Sequence, residues 1–80
     1  MMSTVDAQMP GVFYRRPSPE SDPYIEPGTV VRSGQTIGLI EVMKTFNEIK
    51  ADRECRVSKI LLDDGDEVDI GQTMFEVDDV

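Results

Sequence analysis

Eighty residues allow one domain with a thin core. Sixteen acidic against eight basic residues, a formal net charge of −8, repel nucleic acid and anionic membranes, so neither is expected as a direct partner. The sequence has no histidine, which removes the usual general base, the commonest metal ligand and any Ser-His or Cys-His nucleophile pair, and so argues against free-standing catalysis.

A single cysteine, Cys55, forbids an internal disulfide, and a small domain without such a staple suits a reducing, cytoplasmic compartment. Met1 to Asp6 lacks the basic-then-apolar pattern of a signal peptide, and no apolar run approaches membrane-spanning length. Residues 1–8 are polar and aperiodic, and are expected to form a disordered tail ahead of a domain over 9–80.

From Pro10-Gly11 the chain reads as a turn and a short strand, Val12-Phe13-Tyr14. Three prolines between Pro17 and Pro23 then deny ladder donors and hold the segment around 15–24 in a projecting loop. Pro27-Gly28 punctuates, Val30-Val31 is a brief apolar run, Ser33-Gly34 turns, and a longer strand pattern spans Thr36 to Val42. Beyond Ile49 a polar turn near Arg53 leads to a strand from Val57 to Leu62, and the last strand pattern runs from Thr73 to Val77. Asp63, Asp64, Asp66, Glu67 and Asp69 lack the glycine and glutamate spacing of a calcium loop and read as a solvated acidic turn. No stretch sustains a 3.6-residue period, so the fold is expected to be all-β.

The sequence contains an internal repeat. Gly28, Val31, Gly34, Gln35 and Thr36 recur as Gly65, Val68, Gly71, Gln72 and Thr73, a GxxVxxGQT pattern displaced by 37 residues. Upstream, Gly11 and Phe13 stand opposite Cys55 and Val57 at a displacement of 44, so the first half carries 44 − 37 = 7 extra residues, placed in the proline-rich loop. Two similar halves predict a flattened barrel or sandwich of two four-stranded antiparallel halves with approximate two-fold symmetry. The halves would be joined near one end, with the chain termini meeting near the other.

The join falls at Met43-Lys44. Ile37, Leu39, Ile40 and Val42 precede it and Thr45, Phe46 and Ile49 follow, which predicts a hairpin. Tight hairpin turns need positive φ at both central residues and favour Asn-Gly or Asp-Gly; Met-Lys is neither, at a cost of roughly 1 to 2 kcal/mol per residue. A broken local rule points to function. From spacing alone, Lys44 reads as an ordinary solvated lysine, and it is the resemblance of the surrounding motif to a known family that reverses this reading.

Glu41-Val42-Met43-Lys44, followed by Asn47-Glu48-Ile49, resembles the Glu-Ala-Met-Lys-Met site of biotin carboxyl carrier proteins, particularly the acetyl-CoA carboxylase type of fatty acid biosynthesis. The likeness covers about residues 10 to 78, and Phe13-Tyr14-Arg15-Arg16-Pro17-Ser18-Pro19 is similar to that type's inserted thumb. It implies biotin attached covalently to Lys44, with Glu41, Val42, Met43 and Thr45 presenting the lysine to a biotin protein ligase. It also implies that Arg16, Pro17, Ser18 and Pro19 of the thumb restrain the tethered cofactor.

The implied role is that of a non-catalytic carrier. It would move carboxylated biotin between a biotin carboxylase and a carboxyltransferase, with no metal and no catalytic residue of its own. Val42 for alanine and Thr45 for the second methionine depart from the pattern; the lost methionine bears on the carboxylation cycle more than on attachment, and both departures leave room for an unmodified interaction module. Cys55 stands where the family commonly has glycine, and would be strained if that turn needed positive φ. Two alternatives share the fold. A lipoyl domain usually reads Asp-Lys-Ala and lacks a thumb; an unmodified interaction module would keep the fold for assembly.

Overall fold

Short β-branched and aromatic runs between glycine turns become eight strands in the computed structural model, which describes residues 2–80. They are β1 (Met2–Asp6), β2 (Gly11–Tyr14), β3 (Val30–Val31), β4 (Thr36–Val42), β5 (Thr45–Lys50), β6 (Cys55–Ile60), β7 (Glu67–Val68) and β8 (Thr73–Asp79). All pairings are antiparallel, in two four-stranded sheets ordered β1-β8-β6-β3 and β5-β4-β2-β7.

The sheet orders carry the repeat. Exchanging β1 with β5, β8 with β4, β6 with β2 and β3 with β7 converts one sheet into the other. Equivalent turns are closed by equivalent bonds: Gly28 N–H donates to Val57 O at 2.7 Å and Gly65 N–H to Phe13 O at 2.8 Å. Gly34 N–H donates to Ala51 O and Gly71 N–H to Ala7 O, both at 2.8 Å. The four turn glycines have φ between 84° and 97°, a region that costs a side-chain-bearing residue and not glycine. The repeated glutamine has its own task, since Gln35 Oε1 accepts from Arg32 N–H at 3.1 Å and Gln72 Oε1 from Asp69 N–H at 2.9 Å.

Between the sheets lie Phe13, Val31, Ile37, Ile40, Val57, Val68, Met74, Phe75 and Val77, all buried. Phe13 and Phe75 meet edge to face with ring centres 5.7 Å apart, a favoured aromatic geometry. The loop between β2 and β3 is anchored to this core by Ile25, also buried.

Two expectations are corrected. Residues 2–6 are not a disordered tail; they form β1, which covers the edge of β8 with Ser3 opposite Val77 and Val5 opposite Phe75. An uncovered β8 would present unpaired backbone groups, and Ser3-Thr4-Val5 suits the strand that satisfies them. Val5 packs against the core and Ala7 is buried within it; residue 1 lies outside the described residues. Cys55, expected at a turn and strained there if the turn needed positive φ, instead begins β6 opposite Val31 and Asp79, buried, and is not among the residues of positive φ.

The halves join at the β4–β5 turn. β5 runs away from that turn, and beyond its far end Arg53 donates from Nε to Asp79 Oδ1 at 3.3 Å and from Nη2 to Ser3 Oγ. The ends of the chain thus meet at the end of the sandwich remote from the β4–β5 tip.

Candidate functional site at the β4–β5 hairpin

Val42 and Thr45 close the β4–β5 ladder, leaving Met43 and Lys44 as a two-residue loop. Their φ angles are 50° and 67°, and they are the only non-glycine residues of positive φ among those described. Both therefore occupy the left-handed region that the right-handed twist of a tight hairpin demands. At roughly 1 to 2 kcal/mol each, this conformation is held by its surroundings. Val42 is half-buried and packs against the core. The Asn47 side-chain amide donates to Ile40 O and to Thr45 O, each at 3.3 Å, bracing the hairpin. The result is an exposed Lys44 at a rigid tip beside Met43, whose residue surface is 92% accessible.

Glu41 lies on the outward face of β4. It pairs across the ladders with Val12 on β2 and Phe46 on β5, and its Oε1 accepts from the Tyr14 hydroxyl at 3.3 Å. Desolvation first, then the Glu41 charge and hydrogen bond and the Asp64 charge, push the Tyr14 phenol above its ordinary value, so it remains a neutral donor at neutral pH. Tyr14 also packs against Phe46 with ring centres 6.1 Å apart. Phe46 remains 56% exposed, a large apolar side chain two positions beyond the lysine.

The loop after β2 faces these rings. Arg16, Pro17, Ser18 and Pro19 line one side of a groove of about 440 Å³, while Tyr14, Phe46 and Asp64 complete it. The loop is internally tied. Tyr24 N–H donates to Arg15 O at 2.9 Å and Ser21 N–H to Ser18 O at 3.1 Å, while Arg15 Nη2 reaches Ile25 O at 3.2 Å and Glu26 Oε1 at 2.6 Å. Volume and apolar lining suit a small ring system with a few polar partners.

Of the residues singled out from sequence, the structure gathers Glu41, Val42, Met43, Lys44 and Thr45 at the tip and Arg16, Pro17, Ser18 and Pro19 in the groove beside it. Lys44 is not itself part of the groove lining. Three lining residues escaped the sequence reading. Tyr14 and Phe46 carry a signal, aromatic residues on the outward faces of the two strands that flank β4, whereas Asp64 carries none beyond its place in an acidic turn. Among the described residues, no group of three or more His, Cys, Asp or Glu side chains could hold a metal ion. Among the same residues no helix is long and apolar enough to cross a membrane.

Comparison with known proteins agrees with this geometry. The family described as biotin-requiring enzyme matches residues 3–77. A biotin carboxyl carrier protein of acetyl-CoA carboxylase from Pyropia yezoensis is 40% identical over 76 residues, covering 95% of this chain and 48% of that protein. The protein of the same name from Chlamydia muridarum is 39% identical over 67 residues, covering 84% of this chain and 41% of its own. The chain thus spans about half the length of the curated relatives it matches. A solved structure described as a single-chain, multi-domain long-chain acyl-CoA carboxylase superimposes with a TM-score of 0.83 at 18% identity, over 99% of this chain and 7% of the larger one, and shares the fold. With the match running through β1 to β8 and across the Lys44 hairpin, the chain belongs to the biotin-requiring enzyme family.

Proposed function

We propose that the chain is a biotin carboxyl carrier, with biotin joined by an amide bond to Lys44 Nζ. The observation that carries this is the hairpin tip, where two residues hold an unfavourable backbone conformation to present one exposed lysine. A biotin protein ligase would recognise the tip by position, with Glu41 and Met43 as flanking features. Attached there, biotin supplies a ureido nitrogen that accepts and releases a carboxyl group. Everything else falls to this chain's residues. Val42 and Asn47 fix the direction of the lysine. Tyr14, Phe46 and Pro17 to Pro19 offer an apolar wall beside it, restricting how freely the tether samples solvent.

The partners in this reading are a biotin carboxylase and a carboxyltransferase, in a carboxylase of the acetyl-CoA type. The relatives' names support that assignment. Tethering raises the effective concentration each partner meets. With no histidine and no nucleophile pair, the chain is a non-catalytic carrier. The buried thiol of Cys55 suits a reducing, cytoplasmic compartment.

The departures from the usual motif leave the hairpin closed. Val42 adds a branched side chain that packs on the core, and with Thr45 forms a β-branched pair closing the ladder. The decisive experiment is intact-mass spectrometry after co-expression with a biotin ligase and free biotin, with Lys44→Ala as control. One biotinyl adduct, lost in the variant, is the expected result; no adduct would favour an interaction module, and a lipoyl adduct a lipoyl carrier.

A further inference from the structure

The groove wall rests on a carboxylate that belongs to no motif. Asp64 lies in the turn between β6 and β7, and its two oxygens accept from two consecutive residues at the base of the thumb. Arg15 N–H donates to Oδ1 at 2.6 Å and Arg16 Nε–H to Oδ2 at 3.0 Å. The turn itself is closed without Asp64. Asp66 Oδ2 accepts from Asp63 N–H at 2.8 Å, Asp66 N–H donates to Asp63 O at 3.1 Å, and Gly65 N–H donates to Phe13 O at 2.8 Å. The Asp64 side chain is thereby left to serve the thumb.

The internal repeat isolates this arrangement. Displacing Asp64 by 37 residues gives Pro27, and displacing Arg15 and Arg16 by 44 gives Lys59 and Ile60. The other half of the molecule has the same turn and the same Gly28-to-Val57 closure, yet neither the carboxylate nor a thumb. The carboxylate therefore reaches across from the second half to the first, meeting the inserted loop at Arg15 and Arg16, where that loop leaves the shared framework. From Asp64 the connection continues: Arg16 Nη1 donates to Ser21 O at 3.4 Å, and the Ser21 and Ser18 hydroxyls share a bond of 2.8 Å. Ser18 is on the groove wall.

We propose that Asp64 is the positioning residue of the thumb, a bidentate latch that sets where Pro17 to Pro19 stand against Phe46 and so fixes the width of the groove beside Lys44. The identity of the group received there rests on the carrier reading; the latch itself does not. Because the acceptor is a charged side chain with two short bonds to one segment, its loss frees the thumb as a unit, and the strands stay in place.

The test uses amide hydrogen exchange followed by NMR on the unmodified protein and on protein treated with biotin ligase and biotin. In Asp64→Asn, the Ser21 and Tyr24 amides are expected to exchange roughly 10- to 100-fold faster, with β6 and β8 amides unchanged. Arg16→Gln should reproduce the effect, and Asp64→Glu should restore protection to within about threefold of the parent. In treated protein, the shifts that biotinylation produces at the Tyr14 and Phe46 rings should shrink in Asp64→Asn and return in Asp64→Glu. Unchanged Ser21 and Tyr24 exchange would overturn the latch, as would equal acceleration throughout the sheets. If Lys44 takes no biotin in any variant, the carrier reading fails while the unmodified protein still decides the latch.

Discussion

Tyr14 and Glu41 sit diagonally on the outward face of neighbouring strands, joined by a hydrogen bond of 3.3 Å from the phenol to the carboxylate. One residue opens the thumb and the other opens the lysine motif, so the bond couples the insertion to the hairpin. Tyr14→Phe keeps the ring contact with Phe46 and removes only the donor. The expected outcome is a roughly two- to tenfold fall in biotinylation rate at limiting ligase, the net range of one long, partly buried hydrogen bond. An unchanged rate would show that ligase recognition ignores how Glu41 is held.

The same phenol gives a pH dependence. Its folded pKa lies above the ordinary phenol value, chiefly through desolvation and then Glu41, so the fold favours the neutral form. The associated stability is fully present below the unfolded pKa and is lost as pH rises through the folded one. The tyrosinate absorbance difference between the parent and Tyr14→Phe should therefore develop above pH 10. Development below that point would contradict the packing described.

Relief of the left-handed strain at the tip should separate stability from function. Met43→Asn places a residue that tolerates this conformation at the first loop position. It should stabilise the domain by about 1 kcal/mol, raising the melting midpoint by roughly 4 to 8 °C, while lowering the biotinylation rate. Thermal unfolding and intact mass on the same samples decide it; a variant no more stable than the parent would mean that the tip is unstrained.

Gly11 is required for a different reason. A Cβ there would meet Glu41 O at 2.5 Å and Ile40 Cγ2 at 2.6 Å, so backbone as well as side chain would have to move. Gly11→Ala should cost about 1 to 3 kcal/mol in denaturant unfolding. The repeat-equivalent Cys55 carries a side chain in the core without such a penalty.

Burial first, with Asp52 and Asp79 adding to it and Arg53 opposing it, pushes the Cys55 thiol up. Alkylation should be at least about 100-fold slower than in denatured protein, and should keep pace with global unfolding as denaturant is added. Fast labelling of native protein would place the thiol outside the core.

The hairpin, the repeat and the thumb were legible in the sequence because each has a local signature: strand residues flanking Met43-Lys44, a GxxVxxGQT pattern met twice, and clustered prolines. β1 was not. Met2 to Asp6 has weak strand character alone, and its partners on β8 run from Asp78 opposite Met2 to Thr73 opposite Asp6, at the far end of the sequence, so its order comes from tertiary pairing. The repeat held the missing clue, since the displacement of 44 carries Met2–Asp6 onto Phe46–Lys50 and Ala7 onto Ala51. Cys55 misled because a family glycine suggested a conformational need where the chain is an ordinary strand. The groove formed by Tyr14, Phe46 and Asp64 depends on three segments converging, which no single stretch records.

The exchange of one sheet for the other also bears on where a second payload could be carried. Glu41 and Phe46, opposite one another in the β4–β5 ladder, map onto Asp78 and Met2, which are opposite one another in the β8–β1 ladder. A Met-Lys loop engineered to join β8 to β1 would set a second lysine tip at the opposite pole of the sandwich. Because only one of the two tips would have the thumb beside it, such a molecule would show what that insertion contributes.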